Sequence, residues 1–223
     1  MEYKKKSKFS IHQHYYLKNG QEVVGVTTVL SQLNKPALLS WVYRLTSQGI
    51  KYGDVVNKSK NIGTISHYMI ECYLKNVNTN KEYLKDFSQN EIDGATNSFN
   101  LFKQWIELHD IKVVYTEHQM VSEKYHYGGT VDAVVYVDNV LCIIDVKTGS
   151  GVYDEVKYQI SAYLQLYNET NNTDIQQCLI IHIPYEKHNF TEYIFKKDEL
   201  MVAFEGFIHL LRFYEINKKV IKQ

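Results

Sequence analysis

Gly129-Thr130-Val131-Asp132-Ala133-Val134-Val135-Tyr136-Val137-Asp138-Asn139-Val140-Leu141-Cys142-Ile143-Ile144-Asp145-Val146-Lys147 is the stretch from which the fold is read. Two runs rich in Val and Ile flank Asp138-Asn139, a good pair for a two-residue turn, so the pattern predicts strands over 129–137 and 140–147 joined as a hairpin. With that turn Val137 faces Val140 and Tyr136 faces Leu141. The same register carried inward sets Asp132 opposite Asp145, with Cβ atoms about 5 Å apart. Lys147, two residues beyond Asp145, points to the same side. Residues 140–146 are otherwise apolar on both faces, as in a covered central strand, and an aspartate there needs a physical reason.

Two facing carboxylates in a low-dielectric sheet repel, and desolvation disfavours both anions. A shared proton, a salt bridge to Lys147 or a cation would compensate. The cation reading is an oxygen-ligand site for a hard divalent ion such as magnesium, which uses one or two carboxylates plus substrate phosphates. A lysine beside such a site can hold or deprotonate an attacking water and offset charge on a phosphorane-like transition state.

Outward from the hairpin, the texture changes near residue 110. Before it the signals are helical: a short helix capped by Thr27 and Thr28 and ending at Leu33, a second over 37–48 after Pro36, a third opened by Gly63-Thr64, and a fourth over 91–109. After it come strands over 112–121, 129–137 and 140–147, a helix over 153–168, strands over 176–184 and 190–195, and a helix over 198–218. This order predicts an α/β fold, a central mixed sheet flanked by helices behind a helical N-terminal portion. The expected organisation is a single domain over 1–223, with a helical front (1–110), a sheet core carrying the site (111–197) and a C-terminal helix (198–223).

Twenty-five basic residues balance twenty-five acidic ones, so no net field draws the chain to polyanions and any such partner must be held by a local patch. Three scattered cysteines argue against a disulfide framework and against a closed Cys-based metal site. No apolar run reaches the roughly 20 residues of a membrane helix. The start, Met1-Glu2-Tyr3-Lys4-Lys5-Lys6, lacks the apolar stretch of a secretory signal. The expectation is a cytoplasmic protein of a bacterial or phage-infected cell, with no membrane partner.

The spaced set Gly129-Thr130-Val131-Asp132, Asp145-Val146-Lys147-Thr148-Gly149 and Gln159 with Tyr163 resembles the PD-(D/E)xK nuclease superfamily. More narrowly it is similar to the RecB-like exonuclease branch, which includes phage exonucleases and the mitochondrial genome maintenance exonuclease. Gly63-Thr64-Ile65-Ser66-His67-Tyr68-Met69-Ile70-Glu71 resembles the branch's Gly-Thr-x-x-His-x-x-x-Glu helix. Three cysteines do not supply the iron–sulfur cluster of Cas4 proteins, so that sub-branch is disfavoured. The resemblance implies a restriction-endonuclease-like sheet and a metal-dependent DNA exonuclease leaving 5′-phosphate and 3′-hydroxyl ends.

It also implies residue roles. Asp132, Asp145 and Lys147 would be catalytic. His67, Asp132, Asp145 and the Val146 carbonyl would hold one or two Mg²⁺ or Mn²⁺ ions. Glu71 would orient the His67 ring, and Gln159 and Tyr163 would brace the site and contact the DNA backbone. Glu117 is either a further ligand or supporting group, or a solvated strand residue. Lys35, Trp41, Arg44, Lys51, Lys58, Lys60 and Thr148 are candidate DNA contacts, single-stranded or free-ended DNA being the expected substrate. Recombination, replication or repair is the compatible setting, with proteins of those processes as partners. The alternatives are an endonuclease, restriction or junction-resolving, on the same fold, and a non-catalytic DNA-binding scaffold.

Overall fold

The computed structural model describes residues 13–221. In chain order the elements are β1 (Tyr15–Tyr16), β2 (Glu22–Gly25), α1 (Val26–Leu30), α2 (Pro36–Ser47), α3 (Tyr52–Leu74), α4 (Lys81–Leu84), α5 (Gln89–Ile106), β3 (Ile111–Ser122), β4 (Tyr127–Val137), β5 (Val140–Lys147), α6 (Glu155–Asn171), β6 (Gln177–His182), β7 (Thr191–Lys196) and α7 (Lys197–Ile221). The strands form one seven-stranded mixed sheet in the order β1-β2-β4-β5-β6-β7, with β3 paired to β4. Helices flank it, which is the α/β architecture expected.

The hairpin forms in the expected register, from Val137↔Val140 to Ala133↔Ile144. Asp138 and Asn139 have φ of 50° and 68°, so both central turn residues lie in the left-handed region that matches the twist of the flanking strands. Asp138 also accepts hydrogen bonds from the Asp110 amide at 2.9 Å and from His109 Nδ1 at 2.8 Å, which ties the turn to the segment after α5.

β5 is covered on both sides. Val131, Val134, Ile143, Cys178 and Ile180 pack against α1, α6 and α7. Ala133, Val135, Cys142, Ile144, Leu179 and Ile181 pack against Ile70 of α3 and Phe102 and Trp105 of α5. β6 runs parallel to β5 and carries its register to Lys147↔His182.

The helical front departs from the sequence reading in three ways. Thr27 and Thr28 lie inside α1, whose N-cap is Gly25. α3 begins at Tyr52 rather than Gly63, because half-buried Val55, Val56 and Ser59 continue the face of buried Ile62 one turn at a time. Gly63 lies mid-helix, where a Cβ would meet Thr148 Oγ1 at 3.2 Å. The short strands β1 and β2 carry no periodicity of their own and exist through pairing, β2 parallel to β4 at Tyr127 and Gly128. The other helices shift by a few residues at their ends. The capping box of Ser88 and Glu91 fixes the start of α5.

Gly129 supports one face of β4. A Cβ there would lie 2.7 Å from Tyr163 Cε1 and 3.0 Å from Leu166 Cδ1. Gly129→Ala should lower stability by about 1–3 kcal/mol through overpacking, read as a lower denaturant midpoint at unchanged slope. An unchanged midpoint would show that α6 yields freely at this contact.

Candidate active site

The site forms where β4 and β5 part. Their ladder ends at Ala133↔Ile144, one pair short of Asp132 and Asp145. Val131 and Val134 pack on the α6 side and Ala133 and Val135 on the α3–α5 side, so the alternation of β4 slips at Asp132. On β3 the slip is matched by Glu117, whose φ of 48° is left-handed. Its neighbours Thr116 and His118 face Ala133 and Val131, which places Glu117 opposite Asp132. The freed backbone is satisfied by a side chain: Asp132 Oδ2 accepts from the Val146 amide at 2.7 Å. The simple face-to-face carboxylate pair expected from the sequence is thus modified, because Asp132 turns into the gap between the strands.

From that gap the other Asp132 oxygen, Oδ1, lies 3.1 Å from His67 Nδ1 on α3. His67, Glu117 and Asp132 each present one ligand atom, all within 4.8 Å of one another, and all three are half-buried. One imidazole with two carboxylates is an oxygen-rich donor set that fits Mg²⁺ or Mn²⁺. Glu117 is therefore in the cluster and not on a solvated strand face.

Beside the cluster, buried Asp145 forms an ion pair with Lys147, Nζ to Oδ2 at 2.7 Å. Burial raises the Asp145 pKa and the neighbouring Asp132 adds to the rise, against the opposing pull of Lys147. Burial alone would lower the Lys147 pKa; Asp145 overrides it and the net shift is upward, so the amine is a cation at neutral pH. Lys147 Nζ also donates to Gln159 Oε1 at 2.8 Å, and Gln159 Nε2 donates to the Tyr163 hydroxyl at 3.1 Å. Gln159 and Tyr163 on α6 hold the ammonium group in place. Tyr163 is buried, and burial pushes its hydroxyl well above the ordinary tyrosine range, so it stays neutral.

Other expected residues sit differently. Glu71 is buried and paired with Lys75 at 2.8 Å, while the His67 ring meets Asp132. Lys35 pairs with Glu155 at 2.5 Å, and Trp41 meets Tyr52 edge-on at 5.5 Å. Arg44, Lys51, Lys58 and Lys60 are exposed along α2 and α3, and Thr148 is buried under Gly63. The sequence reading missed two groups. Gln13, Tyr15 and Thr130 join in a polar network beside the cluster, and Gln119 on β3 bonds the His14 carbonyl next to it. Buried His182 contacts the Gly149 carbonyl at 2.8 Å through Nε2, holding the turn after Lys147. The only signal for His182 was its place at the end of the strand parallel to β5.

No protein-family model and no curated protein sequence matches the chain. Solved structures do show similarity. A candidate exonuclease of Eubacterium rectale matches at a TM-score of 0.48 and 12% identity, over 70% of this chain and 66% of that one. The chain thus spans just under two thirds of that protein's length. LHK-Exo in complex with dAMP, from the protein described elsewhere as an alkaline exonuclease of Laribacter hongkongensis, matches at 0.40 and 11% identity, over 74% of this chain and 89% of that one. Neither reaches a TM-score of 0.5, so they fix no family. The chemistry rests on the chain's own residues. Among the described residues no helix is long and apolar enough to cross a membrane.

The pair of His67 and Asp132 gives the metal-free protein a pH signature. Burial alone would lower the His67 pKa, but Asp132 overrides it and the net shift is upward. Burial alone would raise that of Asp132, but His67 and the Val146 amide bring it down. The His67 share of stability is complete below its unfolded value of about 6.5 and is lost as pH rises through the raised folded value. The Asp132 share is complete above about 3.9 and is lost as pH falls through the lowered one. In EDTA the melting temperature should fall as pH rises from about 6 to 9, and His67→Gln should flatten that fall. A wild-type profile already flat across this range would show that the pair contributes nothing.

Proposed function

We propose that the chain is a divalent-metal-dependent deoxyribonuclease acting as an exonuclease on DNA, of the RecB-like PD-(D/E)xK kind. The observation that carries this reading is the juxtaposition of His67, Glu117 and Asp132 with the Asp145–Lys147 ion pair at the parting of β4 and β5. A purely structural ion pair would account for Asp145 and Lys147, but not for a second, separate convergence of an imidazole and two carboxylates beside it.

In this reading His67, Glu117, Asp132 and Asp145, with the Val146 carbonyl, hold one or two Mg²⁺ or Mn²⁺ ions. When bound, the metal supplies Lewis-acid activation at the phosphate and a more acidic water. Lys147, fixed by Asp145 and Gln159, orients the attacking water and places a positive charge beside the phosphoryl oxygens as negative charge builds on them. The Asp132 carboxylate is fixed at two points, by the Val146 amide and by His67, so it meets a ligand in one orientation. DNA would follow the exposed cations Arg44, Lys51, Lys58 and Lys60 on α2 and α3, with Lys35 held back by Glu155. The products are 5′-phosphate and 3′-hydroxyl ends, and DNA recombination, replication or repair in a phage or bacterial cell is the setting that suits them.

Labelled linear and circular DNA incubated with Mg²⁺ or EDTA tests this reading. Shortening of the linear form alone, abolished by EDTA, is the expected result. Cutting of the circle would make the protein an endonuclease, and binding without cutting would make it a scaffold. Lys147→Ala should lower the cleavage rate by about 10²–10³-fold while leaving DNA affinity within about threefold. Glu117→Gln should weaken Mn²⁺ binding by about 10–100-fold in calorimetry, as expected for a ligand or its immediate support. Equal affinity would remove Glu117 from the metal site.

A further inference from the structure

Two rows of residues lie side by side on the α3-facing side of β3 and β4. One is the pair of Glu117 and Asp132 in the cluster. The other is Gln119↔Thr130, two residues along each strand. The second row is built on by the segment entering β1. Gln119 Nε2 donates to the His14 carbonyl at 3.0 Å. The Tyr15 hydroxyl donates to Gln13 Oε1 at 2.9 Å and lies 3.2 Å from Thr130 Oγ1, and the Thr130 hydroxyl donates to the same Gln13 oxygen.

The strands make room for this arrangement. A Cβ on Gly25 would lie 2.9 Å from Tyr15 Cε2, and a Cβ on Gly128 would overlap the Tyr15 ring outright. Gly128, Thr130 and Asp132 recur at every second residue of β4, so the ring covers the first, its hydroxyl meets the second, and the cluster begins at the third. Tyr15 is buried, whereas Gln13 is exposed and Thr130 half-buried, so the polar end of the network is open to a ligand. Burial pushes the Tyr15 hydroxyl above the ordinary tyrosine range, so it keeps its proton as a donor.

We propose that Tyr15, Thr130 and Gln13 form a subsite for the phosphodiester adjacent to the one that is cut. Two strand residues span about 6.7 Å, comparable to the separation of successive phosphates along an extended nucleotide strand. The two hydroxyl protons, which point at Gln13 without ligand, can turn to a phosphate oxygen, and the Gln13 amide adds a further donor. None of these groups is a cation, so the subsite selects by hydrogen-bond geometry rather than by charge. The proposal rests on the nuclease reading above, whose failure has its own signature in the test.

Tyr15→Phe keeps the ring on its glycines and removes the hydroxyl alone. Thr130→Val keeps the shape and removes the second. Each is compared with wild type on oligonucleotides with either normal linkages or one uncharged methylphosphonate next to the linkage cut. Each variant should raise KM by roughly tenfold with kcat within about twofold. The methylphosphonate should cost wild type a similar factor and cost the variants little more. Variants with wild-type KM, or losses from variant and methylphosphonate that simply add, overturn the subsite while the nuclease stands. Wild type that cuts no oligonucleotide in Mg²⁺ overturns the nuclease reading, and the subsite with it.

Discussion

The structure turns on how several carboxylates can share one low-dielectric corner of a sheet. Glu117, Asp132 and Asp145 converge at the parting of β4 and β5, where mutual repulsion and desolvation both act against ionisation. Two of them are compensated in different ways, Asp132 by the Val146 amide and the His67 imidazole and Asp145 by the Lys147 ammonium, while Glu117 reaches the cluster from a left-handed backbone position. The left-handed backbone of a glutamate is costly. It coincides with the slip in β4, and together the two irregularities bring Glu117 and Asp132 to the same corner as His67.

The same irregularities explain what could be read from the sequence. The Asp138-Asn139 turn sets the register by itself, so the nearness of Asp132 to Asp145 followed from counting residues, whereas Gln159 entered only through the family resemblance and its bond to Lys147 is seen only in the structure. The turning of Asp132 into the inter-strand gap did not follow from that count, because it depends on an irregularity opposite, at Glu117, that has no signature in composition or periodicity. The front half was harder for a related reason. α3 starts eleven residues before Gly63, in turns that half-bury Val55, Val56 and Ser59, and Ser59 meets the hydroxyl of Tyr185, which lies far off in sequence. β1 and β2 are four residues or fewer and exist only by pairing. Tyr15 was missed with them, and Thr130 was read only as part of its motif and not as a partner of that ring.

Two adjacent glycines on β4 give the site its rigidity. Gly128 lies under Tyr15 on one side of the strand and Gly129 under Tyr163 on the other. The strand is clasped between two tyrosine rings immediately before it reaches Asp132. One ring ends in a hydroxyl that meets Thr130, and the other in a hydroxyl that anchors Gln159 and through it Lys147. A side chain at either glycine would push a ring away, and the displacement would pass to Lys147 through Gln159 or to the polar row beside the cluster. The glycine of the Gly129-Thr130-Val131-Asp132 motif thus has a packing reason, the close approach of Tyr163 and Leu166.

Charge arrangement also bears on the order of events. The chain has no net charge, and Arg44, Lys51, Lys58 and Lys60 are exposed along α2 and α3, while the cluster itself concentrates acids. A phosphate approaching the bare cluster meets like charge on Glu117 and Asp132, relieved only in part by Lys147, whose ammonium is already engaged by Asp145. In the proposed reading a divalent cation held by His67, Glu117 and Asp132 would offset that repulsion, and metal and DNA phosphate would then bind with positive coupling, each strengthening the other. The cations of α2 and α3 would hold the strand at a distance from the acids until the metal is in place.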